Sequence, residues 1–92
     1  MELIYRAAFN RSFRNIRNKN VLLHLASAIR QVDKAKTKAD IGGLKKLKAY
    51  SHYYRIKIKV SDRYDYRLVL MIRNNKVWFE DIALAKKIFY KR

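Results

Sequence analysis

Four basic residues set the chemistry open to this chain. Arg55, Lys57 and Lys59 alternate with Tyr54, Ile56, Ile58 and Val60 in YYRIKIKV, and Arg67 lies inside the more apolar stretch YRLVLMI. Alternation with period two is the pattern of a strand with one face in a core and the other outside it. The plain reading of such cations is a solvated face that also discourages edge-to-edge pairing. Arg67 argues against it, because its strand is too apolar to be a mere edge. Two neighbouring strands then contribute cations to one patch, and these repel unless an anion lies between them. The pattern therefore points to a phosphate site.

A phosphate site can become a nuclease site without a metal or a protein nucleophile. When RNA is cut by its own 2′-hydroxyl, one group takes that proton and another protonates the departing 5′-oxygen. Positive charge must also stabilise the phosphorane. Lysine and tyrosine titrate at about pH 10 in isolation. Crowding among cations lowers both values, so either residue is a candidate base or acid. Arginine stays protonated and supplies fixed charge.

Other chemistries lack their residues. With no cysteine in the chain, a thiol nucleophile, a disulfide framework and a cysteine metal site are excluded. The two histidines, His24 and His52, are far apart in sequence, and His24 falls in the apolar run VLLHLASAI, where a structural role is expected. No serine sits in a nucleophile elbow, and Gly42-Gly43 lacks the spacing of a phosphate-binding loop. Neither a cofactor nor a metal is expected.

The elements that must position the cations follow from changes of period. MELIYR reads as a first strand, and AAFNRSFRNI takes up helical spacing through Phe9, Phe13 and Ile16. After the polar break Asn18 to Asn20, a second helix carries Val21, Leu25, Ala28, Ile29 and Val32 on one face, with Lys34, Lys36 and Lys38 towards its C-terminal end. Gly42-Gly43 breaks the pattern. Strands are then expected in LKKLKAY, YYRIKIKV, YRLVLMI and KVWFEDI, the last after the turn signal Asn74-Asn75, with ALAKKIFYKR as a helical turn or irregular end. This order predicts an α+β fold: an N-terminal strand and an αα-hairpin packed on one face of a twisted, mainly antiparallel sheet of four to five strands. Arg55, Lys57, Lys59 and Arg67 line its open face. Tyr53 and Tyr54 are expected as half-buried sheet aromatics, and Trp78 as a core residue or a partner contact.

Composition bounds the partners. The 92 residues suffice for one domain, 1–92, and half are hydrophobic, so the chain should fold despite 23 Lys and Arg against 7 Asp and Glu. A formal charge of +16 calls for a polyanionic or acidic partner. No apolar run approaches the roughly 20 residues of a spanning helix, and no signal-peptide pattern opens the chain. A soluble cytoplasmic protein without a membrane partner is the expectation.

GLKKLKAYSHYYRIKIKV, YRLVLMIRNNKVWFEDI and AKKIFY together resemble the RelE/ParE superfamily of toxin–antitoxin toxins, particularly its RelE-like messenger-RNA interferases. The likeness runs through nearly the whole chain and is most specific from Gly43 to Tyr90. It implies a catalytic set of Arg55, Lys57, Arg67, Lys86 and Tyr90. Arg67 is then the phosphate clamp, Lys57 a base or stabiliser, and Tyr90 a stacking platform or base. Lys45, Lys46, Lys48, Lys59 and Arg73 become RNA contacts. The resemblance further implies a growth-arresting toxin, monomeric when free, that cuts mRNA in the ribosomal A site and so inhibits translation. An acidic antitoxin would silence it in a higher-order complex. Arg55 stands where lysine is frequent in the family and Lys86 where arginine is usual. The link SDRYDY is longer than the common tight turn, and Glu80 and Asp81 lie close before the tail. These departures imply reduced or differently specified activity.

Two other readings use the same residues. A ParE-like relative would poison DNA gyrase, and a non-catalytic basic RNA-binding or ribosomal protein would carry the same charge without cleaving anything.

Overall fold

The computed structural model describes residues 1–87. Strand β1 (Glu2–Tyr5) leads into helices α1 (Ala7–Arg14) and α2 (Lys19–Lys34), and a 3-10 turn at Lys38–Asp40 precedes β2 (Leu44–Lys46). Strands β3 (Tyr53–Lys59), β4 (Asp65–Arg73) and β5 (Lys76–Leu84) follow, with a second 3-10 turn at Ala85–Lys87. The sheet order is β1-β5-β4-β3-β2, antiparallel except where β1 runs parallel to β5. The α+β architecture expected from the sequence is therefore the one observed.

Local chemistry explains where the elements begin and end. Asn18 caps α2, its side-chain oxygen accepting from the Val21 amide at 3.0 Å, which satisfies a donor the helix itself leaves open. The helix stops at Lys34, because Ala35 turns to extended backbone (ψ 138°). Lys36 and Lys38 therefore lie beyond the helix and not along it. Asn74 and Asn75 both adopt left-handed backbone, with φ of 53° and 62°, in the two-residue loop joining Arg73 to Lys76. Asparagine tolerates that conformation, and such a loop matches the twist of the strands it joins.

One face of the sheet is the core. Tyr54, Ile56 and Ile58 of β3, Leu68, Leu70 and Ile72 of β4, and Val77, Phe79 and Ile82 of β5 all point to the helices. Val21, Leu25, Ala28 and Val32 of α2 meet them from above. On α1, Phe9 stands 5.6 Å from the Phe79 ring, and Tyr5 stacks on that same ring at 4.8 Å. Burial of such large side chains is worth roughly 1.5–3 kcal/mol each, so this face carries the stability of the sheet.

Four expectations need correction. LKKLKAY is a strand only at Leu44–Lys46, because the chain folds inward at buried Leu47 and turns back at His52, whose φ is 66°. His24 is exposed and not structural: its Nδ1 bonds the Asn20 carbonyl at 2.7 Å, one helical turn away. Trp78 is not a core residue, since it alternates with Val77 and Phe79 and falls on the opposite face, with the Arg6 guanidinium 5.8 Å from its ring. Tyr54 is fully buried, whereas Tyr53, beside it on the other face, is half-buried.

Candidate functional site

The cationic face is organised in rows across the strands. Lys57 of β3 lies directly opposite Arg67 of β4, which is followed across the sheet by Ala83 of β5. One row away, Lys45 of β2, Arg55 of β3 and Val69 of β4 align. Opposed side chains stand about 5 Å apart at Cβ, and same-face neighbours along a strand about 7 Å apart. Arg55, Lys57 and Arg67 are therefore neighbours on one patch of the open face. Val69 and Ala83 give it a low apolar floor beside the cations. The like-charge pair Lys57–Arg67 is destabilising in isolation, and an anion between the two would relieve it.

The link between β3 and β4 brings carboxylates to this patch. Arg67 donates from Nη1 to Asp65 Oδ1 and to the Tyr66 carbonyl at 3.3 Å, and its side chain is only 17% exposed. Lys59 pairs with Asp62 at 3.0 Å. The hydrogen bond and charge of Asp62 push the Lys59 pKa up, with Asp65 adding to the rise and Arg67 opposing it. Crowding was expected to lower lysine pKa values here, and at Lys59 the neighbouring carboxylates reverse the sign. Lys59 is thus a fixed positive charge and a poor proton acceptor. Among the described residues no cluster of three His, Cys, Asp or Glu is arranged to hold a metal ion.

No protein-family model matches the chain, and no curated protein matches it either. Solved structures do. The RelB–RelE antitoxin–toxin complex from Methanococcus jannaschii superposes with a TM-score of 0.70 at 18% identity, over 90% of this chain and 91% of its counterpart. The chain has the RelE-like toxin fold. The intact RelBE toxin–antitoxin complex of E. coli gives a TM-score of 0.66 at 17% identity, covering 91% and 95% of the two chains. A copper-bound mutant toxin from Helicobacter pylori gives 0.61 at 12% identity, covering 97% and 99%.

Within this RelE-like fold, Arg55, Lys57 and Arg67 come together on the open face as the sequence predicts. Lys86, in the 3-10 turn after β5, borders a crevice of about 110 Å³ with Asp62, Arg63, Asp65, Leu84 and Ala85, so it reaches the same end of the sheet as Arg67. Tyr90 lies outside the described residues. Of the expected RNA contacts, Lys45 and Lys59 share the open face with the central cations. Lys46 is paired with Tyr54 and so shares the helix-side face, Lys48 is exposed in the turn after β2, and Arg73 ends β4 about 20 Å from Arg67.

Glu80 and Asp81 stand beside the patch, and each has partners of its own. The ladder shifts between Val69 and Leu70, so Val69 opposes Asp81 while Leu70 opposes Phe79, and Glu80 is left unpaired in a bulge. Glu80 bonds Arg6 at 3.2 Å, and Asp81 accepts from Ser12 of α1 at 2.6 Å and from the Ile82 amide at 2.8 Å. Both acids fasten the α1 region to β5. The residues that sequence reasoning missed are Asp62 and Asp65. Their signal was present in SDRYDY, where two carboxylates stand close to Lys59 and Arg67, but the stretch was read as a connection and not as a source of counter-charge.

Proposed function

We propose that this chain is the toxin of a toxin–antitoxin module, a ribosome-dependent endoribonuclease that cuts mRNA in the A site and halts translation. The observation that carries this reading is the Lys57–Arg67 pair, set side by side on the open face of a RelE-like sheet with Arg55 one row away. The 2′-oxygen attacks phosphorus, the bond from phosphorus to the 5′-oxygen breaks, and a 2′,3′-cyclic phosphate remains on the upstream fragment. Arg67 clamps the phosphate and Arg55 adds charge to the phosphorane, with Lys86 supplying more from the rim. Lys57 either takes the 2′-proton or stabilises the phosphorane. Tyr90 stacks on a base or acts as the proton acceptor itself. The released 5′-oxygen takes up a proton from a cationic neighbour or from water.

For Arg67 to bind phosphate, its bond to Asp65 must be loosened or shared. Asp65 is a positioning residue in this scheme, holding the guanidinium in place until substrate competes for it. An acidic antitoxin is the natural silencing partner for a surface with this charge. Phe13, Leu22, Leu25, Ala26, Ile29 and Arg30 line an apolar groove of about 470 Å³ between the two helices, which supports the reading of a surface that takes up a partner.

The reading is tested by adding the protein to a reconstituted translation system and mapping message ends. New 3′ ends that appear only with ribosomes present are the expected result. Intact message and normal protein output, together with inhibition of gyrase, would transfer the chain to the ParE-like reading. RNA binding without any cleavage would leave a non-catalytic RNA-binding protein.

A further inference from the structure

We propose that the end of the sheet carrying the β4–β5 turn is a second phosphate site, which grips the RNA backbone away from the scissile bond. The occupant rests on the RNA-cleaving reading above, while the phosphate chemistry rests on this pocket alone. A cavity of about 380 Å³ opens there between the segment after α2, the turn before β3 and the Asn74-Asn75 loop. Lys36, Lys38, His52 and Arg73 line it, with Asn74 and Asn75, and no carboxylate does. Three cationic residues thus border one concavity. The crevice beside Lys86 is different, because Asp62 and Asp65 offset its cations.

Two acids stand near its rim without lining it. Asp40 spends Oδ2 on the backbone amides of Lys36 and Thr37, at 3.1 and 3.2 Å, and Glu2 faces Lys76 across the β1–β5 register. Among the described residues no salt bridge reaches Lys36, Lys38 or Arg73. The pocket is also held in shape before any ligand arrives. Lys38 Nζ donates to the Tyr54 hydroxyl at 3.0 Å, the Ile72 amide donates to the His52 carbonyl at 2.9 Å, and the Glu2 amide donates to the Asn75 carbonyl at 3.1 Å. A pocket whose backbone frame and Lys38 are already fixed has less to order on taking up a phosphate. Its distance from Arg67, about 20 Å along β4, makes it a contact to a different phosphate from the one cleaved.

The test uses the full chain and two probes, inorganic phosphate and a 2′-O-methyl RNA that cannot be cut through its 2′-oxygen. In NMR titrations, phosphate should produce saturable shifts at His52, Arg73, Asn74 and Asn75, and the double variant Lys36→Ala/Arg73→Ala should abolish them. The same variant should weaken RNA binding about tenfold and flatten the plot of log affinity against log salt by about 1.4, the value for two lost phosphate contacts. The control pair Arg14→Ala/Lys19→Ala removes equal charge from the helices. Equal losses in both pairs, or shifts that never saturate, would overturn the site in favour of diffuse charge. Saturation by phosphate with unchanged RNA affinity in the pocket variant would overturn the RNA occupant and assign a small phosphorylated molecule. A wild-type chain that takes up phosphate but binds no RNA would overturn the proposed function and leave the pocket standing.

Discussion

Ile56 and Leu68 oppose each other across the β3–β4 ladder, and one residue further along Lys57 and Arg67 do the same. The first pair is 5% and 0% exposed and sits under the helices. The second pair sets two cationic side chains opposite each other on the outer face, with Cβ atoms about 5 Å apart and the Arg67 guanidinium bonded to Asp65. The two pairs share strands and register and occupy neighbouring hydrogen-bonded and non-hydrogen-bonded positions of one ladder, so what sets them apart is chiefly the side chains. One face of the same ladder supplies stability, and the other carries the cations of the proposed anion site.

Substitutions on each face should separate these roles. The largest effect is expected from Phe79→Ala, which empties the space between Tyr5, Phe9 and the sheet. A loss of about 3–5 kcal/mol in denaturant unfolding is predicted, with cleavage falling only as the folded fraction falls. Arg67→Ala should do the reverse, lowering the single-turnover cleavage rate about 10²- to 10³-fold, as loss of a charge stabiliser does, while the fold survives. Asp65→Asn comes next. It should cost about 1–2 kcal/mol of stability through the lost charged hydrogen bond and raise RNA affinity several-fold, measured by anisotropy, because Arg67 no longer shares its charge. The smallest shift is expected from Lys57→Met, which relieves the like-charge contact. A gain of about 0.2–1 kcal/mol is predicted, and it should shrink in high salt.

The legibility of the sequence followed the same division. Strict alternation in YYRIKIKV told which residues share a face, and the helical spacing of Val21, Leu25, Ala28 and Val32 told what covers the other, so the layered fold and the central cations could be read directly. Periodicity does not say which side chains meet across a loop. The Asp65–Arg67 and Lys59–Asp62 pairs depend on the conformation of the link, which carries no period. His24 was misjudged because apolar neighbours in sequence are not neighbours on a helix, and Leu23 beside it is 66% exposed. For Trp78 only the core alternative fails, and its own alternation with Val77 and Phe79 already places it on the outer face, where a partner contact stays open. The strand in LKKLKAY was overextended because its loose alternation hid the inward turn at Leu47.

In the proposed reaction cleavage depends on the open face and not on basic charge in general. Lys46 offers the control, because it neighbours the site in the sheet but projects to the other side. The decisive measurement is single-turnover cleavage of a defined message on programmed ribosomes by wild-type protein, Lys57→Ala, Arg67→Ala and Lys46→Ala. Lys57→Ala and Arg67→Ala should lose cleavage by at least about 10²-fold, while Lys46→Ala stays within a few-fold of wild type. Comparable losses in all three variants, or none in Arg67→Ala, would contradict that dependence on the open face.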